Sequence, residues 1–296
     1  MKPRIFSRKQ SGLSLVDLMI GLSLGLISVL AASALMVSNL QLSRTKSDNA
    51  LLHEQTAMAI AALSHQFKQS GYGEINREKG YKYENPTNLT GNLPPVRGCD
   101  TGFANPDATD FACAGGETLP TSFPAFSLVQ VLADTVDVNL GQGVDCLGQP
   151  VPMNPATGLR EVLNHYYVQN GQLFCRATVP DLGNAPAGYP YAGRAVLSGV
   201  VALRLRYGQD AQDAHPSGSW TRSGNAAAML AAGFDDITAW RRVSWVQICV
   251  VVQSENVGRS NAAMQYADCD GQVVTAPDLR IYRVFTERIA LRNALL

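Results

Sequence analysis

The sequence predicts an α+β protein, a long N-terminal helix followed by a β-rich domain. Three observations carry that prediction. Between Leu18 and Leu42 no side chain is ionisable, and the helical pattern then continues in amphipathic form to Ser70. Downstream of Leu128 the pattern changes to β-rich runs punctuated by turn residues. All six cysteines, Cys99, Cys113, Cys146, Cys175, Cys249 and Cys269, follow the apolar stretch.

The first twelve residues hold Lys2, Arg4, Arg8 and Lys9 and no acid. Lys+Arg and Asp+Glu both total 24, so without these four the rest is 20 basic (24 minus 4) against 24 acidic. That mildly acidic body gives no reason to expect nucleic acid. Gly12 to Leu42 is long enough to cross a bilayer, since ~20 residues span ~30 Å of hydrocarbon. Its one charge is Asp17. A cleaved secretory signal would use Leu18 to Leu30 and cut near Ala32-Ser33-Ala34. It does not explain Asp17, nor a pattern that runs on through Leu42. A plain signal anchor, with the basic end cytoplasmic, explains the leader and leaves Asp17 without a role. Gly21 to Gly25 fits G-x-S-x-G, but that motif needs a strand–turn–helix; within an apolar helix it reads as a close-approach or weak-helix spacing.

Beyond Leu42, Leu52, Thr56, Ala59, Ile60, Leu63 and Phe67 recur at helical spacing. Gly71 offers a stop. Leu13 to Ser70 as one helix is about 85 Å long at ~1.5 Å per residue. His53-Glu54 begins an HExxH pattern whose second histidine position holds Ala57, so no zinc site is read there. Residues 72–122, rich in Pro, Asn and Gly, read as a long surface loop. Asn88-Leu89-Thr90 is a glycosylation signal only in a eukaryotic secretory context.

In the β-rich part, Leu128 to Val138 is a candidate strand. Asn170-Gly171 between Tyr166 to Gln169 and Gln172 to Cys175 calls for a type I′ hairpin. Val201, Leu203, Leu205 and Tyr207 alternate with Arg204 and Arg206, a strand with one buried face. Asn225 to Ala232 reads as a short helix. Val243 to Val252, apolar on both faces, reads as a central strand. Arg280 to Leu291 fits helix spacing and strand composition equally.

An even cysteine number on the exported side of a membrane segment suggests disulfides. Fifteen pairings are possible. Neighbours in order, Cys99–Cys113, Cys146–Cys175 and Cys249–Cys269, is the pairing expected, with some free buried thiols as the alternative. No Walker loop, GxGxxG or histidine pairing is present, so no enzyme chemistry, cofactor or metal is expected. Asp268-Cys269-Asp270-Gly271 mimics a calcium loop, but Leu279 stands where the bidentate Glu belongs. Asp107, Asp110, Asp235 and Asp236 leave an unrecognised calcium site open. Arg204, Arg206, Arg241 and Arg242 are a candidate basic patch.

Gly12-Leu13-Ser14-Leu15-Val16-Asp17-Leu18-Met19 resembles the type III signal of type IV prepilins. The resemblance implies cleavage after Gly12 by a prepilin peptidase and N-methylation of Leu13. It also implies a carboxylate at Asp17 that neutralises a neighbouring subunit's amine. The family usually has Phe where Leu13 stands and Glu where Asp17 stands. Further pieces are similar to the PilW family of minor type IV pilins: Gln66 to Tyr72, Tyr166 to Arg176, Leu203 to Gly208, Trp240 to Val252, Tyr282 to Phe285 and Ala290 to Asn293. The resemblance implies a helix packed on an antiparallel sheet, with the tail as a strand.

The division it implies is 1–12 cleaved leader, 13–71 helix (13–42 membrane and filament core, 43–71 amphipathic), and 72–296 periplasmic disulfide-containing domain. It further implies a structural minor pilin of the bacterial inner membrane and then the pilus. Such a subunit primes assembly and forms the tip with other minor pilins, the major pilin, an assembly platform protein and a tip adhesin. The alternatives are a minor pseudopilin of type II secretion and, in another class, a DNA-binding receptor of a competence pilus.

Overall fold

The computed structural model describes residues 14–71, 75–76, 82–83, 94–105, 112–114, 123–132, 143–153, 160–179, 192–210, 220–231, 236–257 and 262–291. The chain divides into two compact units, Met1–Asp48 and Asn49–Leu296. Helix α1, Leu15–Gln69, belongs to both.

In the first unit every large apolar side chain from Leu15 to Leu42 is exposed. This is the one described helix long and apolar enough to cross a membrane. Its serines turn inward to the backbone: Ser23, Ser28 and Ser33 donate to the carbonyls of Ile20, Leu24 and Leu30 at 2.8–2.9 Å. A hydroxyl satisfied by its own helix can sit in hydrocarbon without an orphaned donor.

In the second unit α1 buries Leu52, Thr56, Ala59, Ile60, Leu63, Ser64 and Phe67. That stripe is the amphipathic face read from the sequence. It packs on antiparallel strands, but the expected sheet is present as two. The five-stranded sheet runs β3 (Val96–Cys99), β4 (Ala125–Leu132), β5 (Arg160–Gln169), β6 (Gln172–Thr178), β7 (Arg194–Ser198). The four-stranded sheet has the order β13 (Tyr282–Ala290), β10 (Val243–Gln253), β8 (Val200–Asp210), β9 (Trp220–Gly224). Two-residue strands β1 (Ile75–Asn76) and β2 (Lys82–Tyr83) pair with each other, as do β11 (Gln265–Ala267) and β12 (Val273–Thr275). Short helices α2 (Ala226–Leu230) and α3 (Asp236–Arg241) follow β9.

The chain passes between the large sheets at Gly199, the one residue between β7 and β8. Its φ is +74°, and a Cβ there would collide with the Gln253 carbonyl, so the corner needs glycine. The Gly199 carbonyl accepts from Gln253 N–H, and the Gly171 carbonyl accepts from Val200 N–H, both at 2.8 Å. A single core then joins helix and sheets: Phe67 stacks on Phe126 at 5.1 Å, and Phe126 on Tyr166 at 4.8 Å. Leu203, Leu205, Val246, Ile248 and Val250 extend it across the four-stranded sheet.

Several expectations meet their outcome here. Asn170 and Gly171 have φ of 51° and 70°, the positive pair a type I′ turn needs. β10 is central, flanked by β8 and β13. The ambiguous tail is strand β13, held by nine residue pairs to β10. The β4 strand begins earlier than expected, at Ala125 directly after Pro124, and its described part ends at Leu132. Residues 72–122 are not one loop, because Val96–Cys99 forms an edge strand on β4. Pro94, Pro95 and Gly98 hide that strand in the sequence, yet an edge strand tolerates proline at its start.

Candidate functional site

The helix start comes first. Gly12 and Leu13 lie outside the described residues. Asp17 stands exposed in the first turn of α1, where a carboxylate is favoured by the N-terminal helix partial charge. Just before it, Ser14 Oγ accepts from Val16 N–H at 3.3 Å.

At its other end α1 is locked to the five-stranded sheet by three amides. Gln66 Oε1 accepts from Gln130 Nε2 at 2.6 Å and from Asn164 Nδ2 at 3.1 Å, and the Gln66 carbonyl accepts from Gln130 Nε2 at 3.2 Å. Asn164 Oδ1 in turn accepts from Cys146 N–H at 3.2 Å. Gln130 and Asn164 are buried, so each bond is costly to lose. The helix ends at Gln69, and Gly71 N–H donates to Val129 at 2.8 Å, which carries the chain onto β4.

Disulfides join Cys99 to Cys113, Cys146 to Cys175, and Cys249 to Cys269, with Cα separations of 5.4, 6.4 and 5.7 Å. Each fastens a segment outside the ladders to a strand: β3, β6 and β10 respectively. The 143–150 turn is built on Asp145, whose Oδ1 accepts from the N–H groups of Leu147 and Gln149 at 2.8 and 2.9 Å. Burial pushes its carboxyl up from the usual range, against those bonds and the nearby Arg194.

On the other face of β5, His165 is enclosed. Its Nδ1 lies 2.5 Å from Ser127 Oγ and its Nε2 3.1 Å from Thr178 Oγ1. The edge of Phe103 closes over it at 5.3 Å. Burial holds the imidazole down at about 4. A serine beside a histidine invites comparison with a nucleophile and base, but each is only 2% exposed, so no substrate reaches the pair as it stands.

Other sequence candidates are dispersed. Arg204 and Arg206 share the exposed face of β8, with Arg204 Nε 3.8 Å from Asp270. Arg241 ends α3, and Arg242 follows it. Asp268 Oδ1 accepts from the N–H groups of Asp270 and Gln272, a turn beside the Cys249–Cys269 bond. Among the described residues no group of three or more His, Cys, Asp or Glu is placed to hold a metal. Asp107, Asp110 and Asp235 lie outside them. His53 packs against Phe285 at 5.5 Å.

Sequence reading missed a groove of about 480 Å³ between α1 and β7. Gln55, Met58, Ala62 and Gln66 line one side, Ala195 to Ser198 the other. The amide triad was also missed, since its members are far apart in sequence.

Residues 165–293 match the family model described as Type IV Pilus-assembly protein W, PilW. No curated protein sequence matches the chain. Among solved structures, a type IV-like pilin from Thermus thermophilus is similar over 83% of this chain and 98% of that one, at 13% identity and a TM-score of 0.40.

Proposed function

We propose that the chain is a minor pilin of a type IV pilus, a structural subunit and not an enzyme. Its leader, residues 1–12, is removed by prepilin peptidase at the cytoplasmic face of the inner membrane. Residues 13–42 then hold it in the bilayer with residues 72–296 in the periplasm. With other minor pilins it primes assembly on the platform protein and joins the tip complex, next to the major pilin and a tip adhesin.

The observation that carries this reading is the continuity of α1. One helix has an exposed surface with no ionisable side chain from Leu18 to Leu42, and beyond Asn49 a buried stripe in the unit that holds the PilW match. The match covers residues 165–293 and none of the helix. The N-terminal signal and the C-terminal match are therefore independent supports.

The chemistry asked of the chain is small. Cleavage after Gly12 frees an ammonium at Leu13 inside the apolar region. A carboxylate at membrane depth is costly unless paired. In the filament, Asp17 of one subunit meets the amine of another and each removes the other's penalty. Asp is one methylene shorter than Glu, so the pair must approach more closely. Mass spectrometry of the mature chain tests the reading: it should begin at N-methyl-Leu13. A start at Ala34 or later, or an intact Met1, overturns it.

A further inference from the structure

The groove between α1 and β7 has three properties that together specify an occupant. First, β7 is the terminal strand of its sheet. Among the described residues its outer side has no strand partner, which leaves a template of backbone donors and acceptors. Second, the floor is apolar and fixed. Leu63, Tyr166 and Leu197 are buried beneath it, Ala59 and Ala62 keep the helix wall shallow, and Met58 stands 64% exposed at the rim. Third, Arg194, the residue just before the lining stretch Ala195 to Ser198, opens β7 exposed and makes no salt bridge among the described residues. The nearby carboxylate, Asp145, is only 1% exposed and tied into its own turn.

The site is also rigid. Arg194 pairs in register with Cys175, whose disulfide to Cys146 forms part of the groove wall. The Gln66 amide in the lining is held by Gln130 and Asn164. The backbone that carries Arg194 is thereby held in place beside the groove.

We propose that this groove receives an extended segment of another protein subunit, added to β7 as a further strand. The segment presents an apolar side chain to Leu197 and Met58 and a carboxylate to Arg194. Ala195 to Ser198 offer about 13 Å of strand at ~3.3 Å per residue, room for about four residues of partner. Main-chain bonds supply affinity, and the apolar floor and the arginine supply selection. Only the identity of the supplier, a neighbouring pilus subunit, rests on the function proposed above.

The test uses the full chain in cells that assemble the filament, with a benzophenone amino acid at Ala62 and a control probe at Val273, which is 72% exposed. Irradiation should link the Ala62 probe to an extended, acid-containing segment of a second subunit, located by peptide mapping. The Val273 probe should not reach that segment. Arg194→Glu should cut the adduct about tenfold, the size expected for an interface anchor, and Arg194→Lys should retain most of it. Thermal unfolding of each variant should match the parent, since Arg194 lies at the surface. The proposal is overturned by any of four results: an adduct within the same chain, an adduct on lipid or on a helix, no adduct, or a yield indifferent to Arg194→Glu. The two readings fail separately. N-methyl-Leu13 without the adduct leaves the pilin and removes the groove partner. An adduct from a chain that never matures leaves the groove and removes the filament.

Discussion

The two parts of α1 are one helix with two solvents. Up to Leu42 its large apolar side chains are all exposed, from Leu15 at 74% to Leu40 at 47%. Beyond Asn49 the same kinds of residue form a stripe, with Leu52 at 6%, Leu63 at 3% and Phe67 at 0%. Side-chain type does not distinguish the parts; the distribution of charge does. Glu54 and Lys68 mark the second part as a helix that must face both water and a core. Their lack between Leu18 and Leu42 marks the first as a helix that needs apolar surroundings on every side. A helix built in this way fits a subunit held by one part in lipid while the other anchors a folded domain.

The largest test of the comparison truncates an aromatic ring on one side of it. Phe67→Ala removes the ring that stacks on Phe126, and should cost about 3–5 kcal/mol of domain stability, as buried Phe truncations do. Leu30→Ala, in the first part, should change domain stability by no more than ~0.5 kcal/mol. Thermal or denaturant unfolding of the full chain in detergent measures both. Equal losses would mean that the first part also packs on folded protein.

Acid gives a second test, because it reaches the domain that carries the stripe and finds nothing to titrate between Leu18 and Leu42. His165 is held at about 4 in the folded state by burial, below its ordinary 6.5. The unfolded chain therefore binds the proton first. Stability is complete above about 6.5 and is lost as pH falls toward about 4, by about 3 kcal/mol in all. Asp145 works in the opposite sense, since its carboxyl is raised. The His165→Gln variant isolates the histidine: its unfolding midpoint should vary less between pH 6.5 and 4 than the parent's. Parallel pH curves would show that the imidazole charges without disturbing the sheet.

What the sequence disclosed follows from how locally each feature is written. The stripe from Leu52 to Phe67 repeats within one helix, so its period identifies it. Val243–Gln253 is apolar on both faces because it is flanked on both edges and covered on both sides, and it reads accordingly. Asn170-Gly171 needs only its own two dihedrals. By contrast, Tyr282–Ala290 fits two periods, and only its pairing with β10 decides between them. Val96–Cys99 is a strand because β4 lies beside it, despite two prolines and a glycine. The division into two sheets depends on one residue, Gly199. Of the candidate site, the signal around Gly12, Leu13 and Asp17 is contiguous and legible. The groove joins residues 55–66 to 195–198, and the amide triad joins residues 66, 130 and 164. No pattern within one element encodes either.

The smallest test concerns a hydroxyl in each part of the helix. In the first part Ser28 donates to the Leu24 carbonyl at 2.8 Å. In the second, Thr56 donates to the Leu52 carbonyl at 2.7 Å. Ser64 differs: it is 4% exposed, and its Oγ has no hydrogen-bond partner among the described residues. A buried hydroxyl without a partner costs free energy, and serine is also a poorer helix former than alanine. Ser64→Ala should therefore stabilise the domain, by about 0.5–1 kcal/mol. Ser28→Ala removes a hydroxyl that is already satisfied and faces outward, so the domain's unfolding midpoint should not move. A loss of stability in Ser64→Ala would mean that its hydroxyl has a partner in the folded protein. The second part of the helix would then be held to its domain by one more polar contact than the amides of Gln66, Gln130 and Asn164 provide.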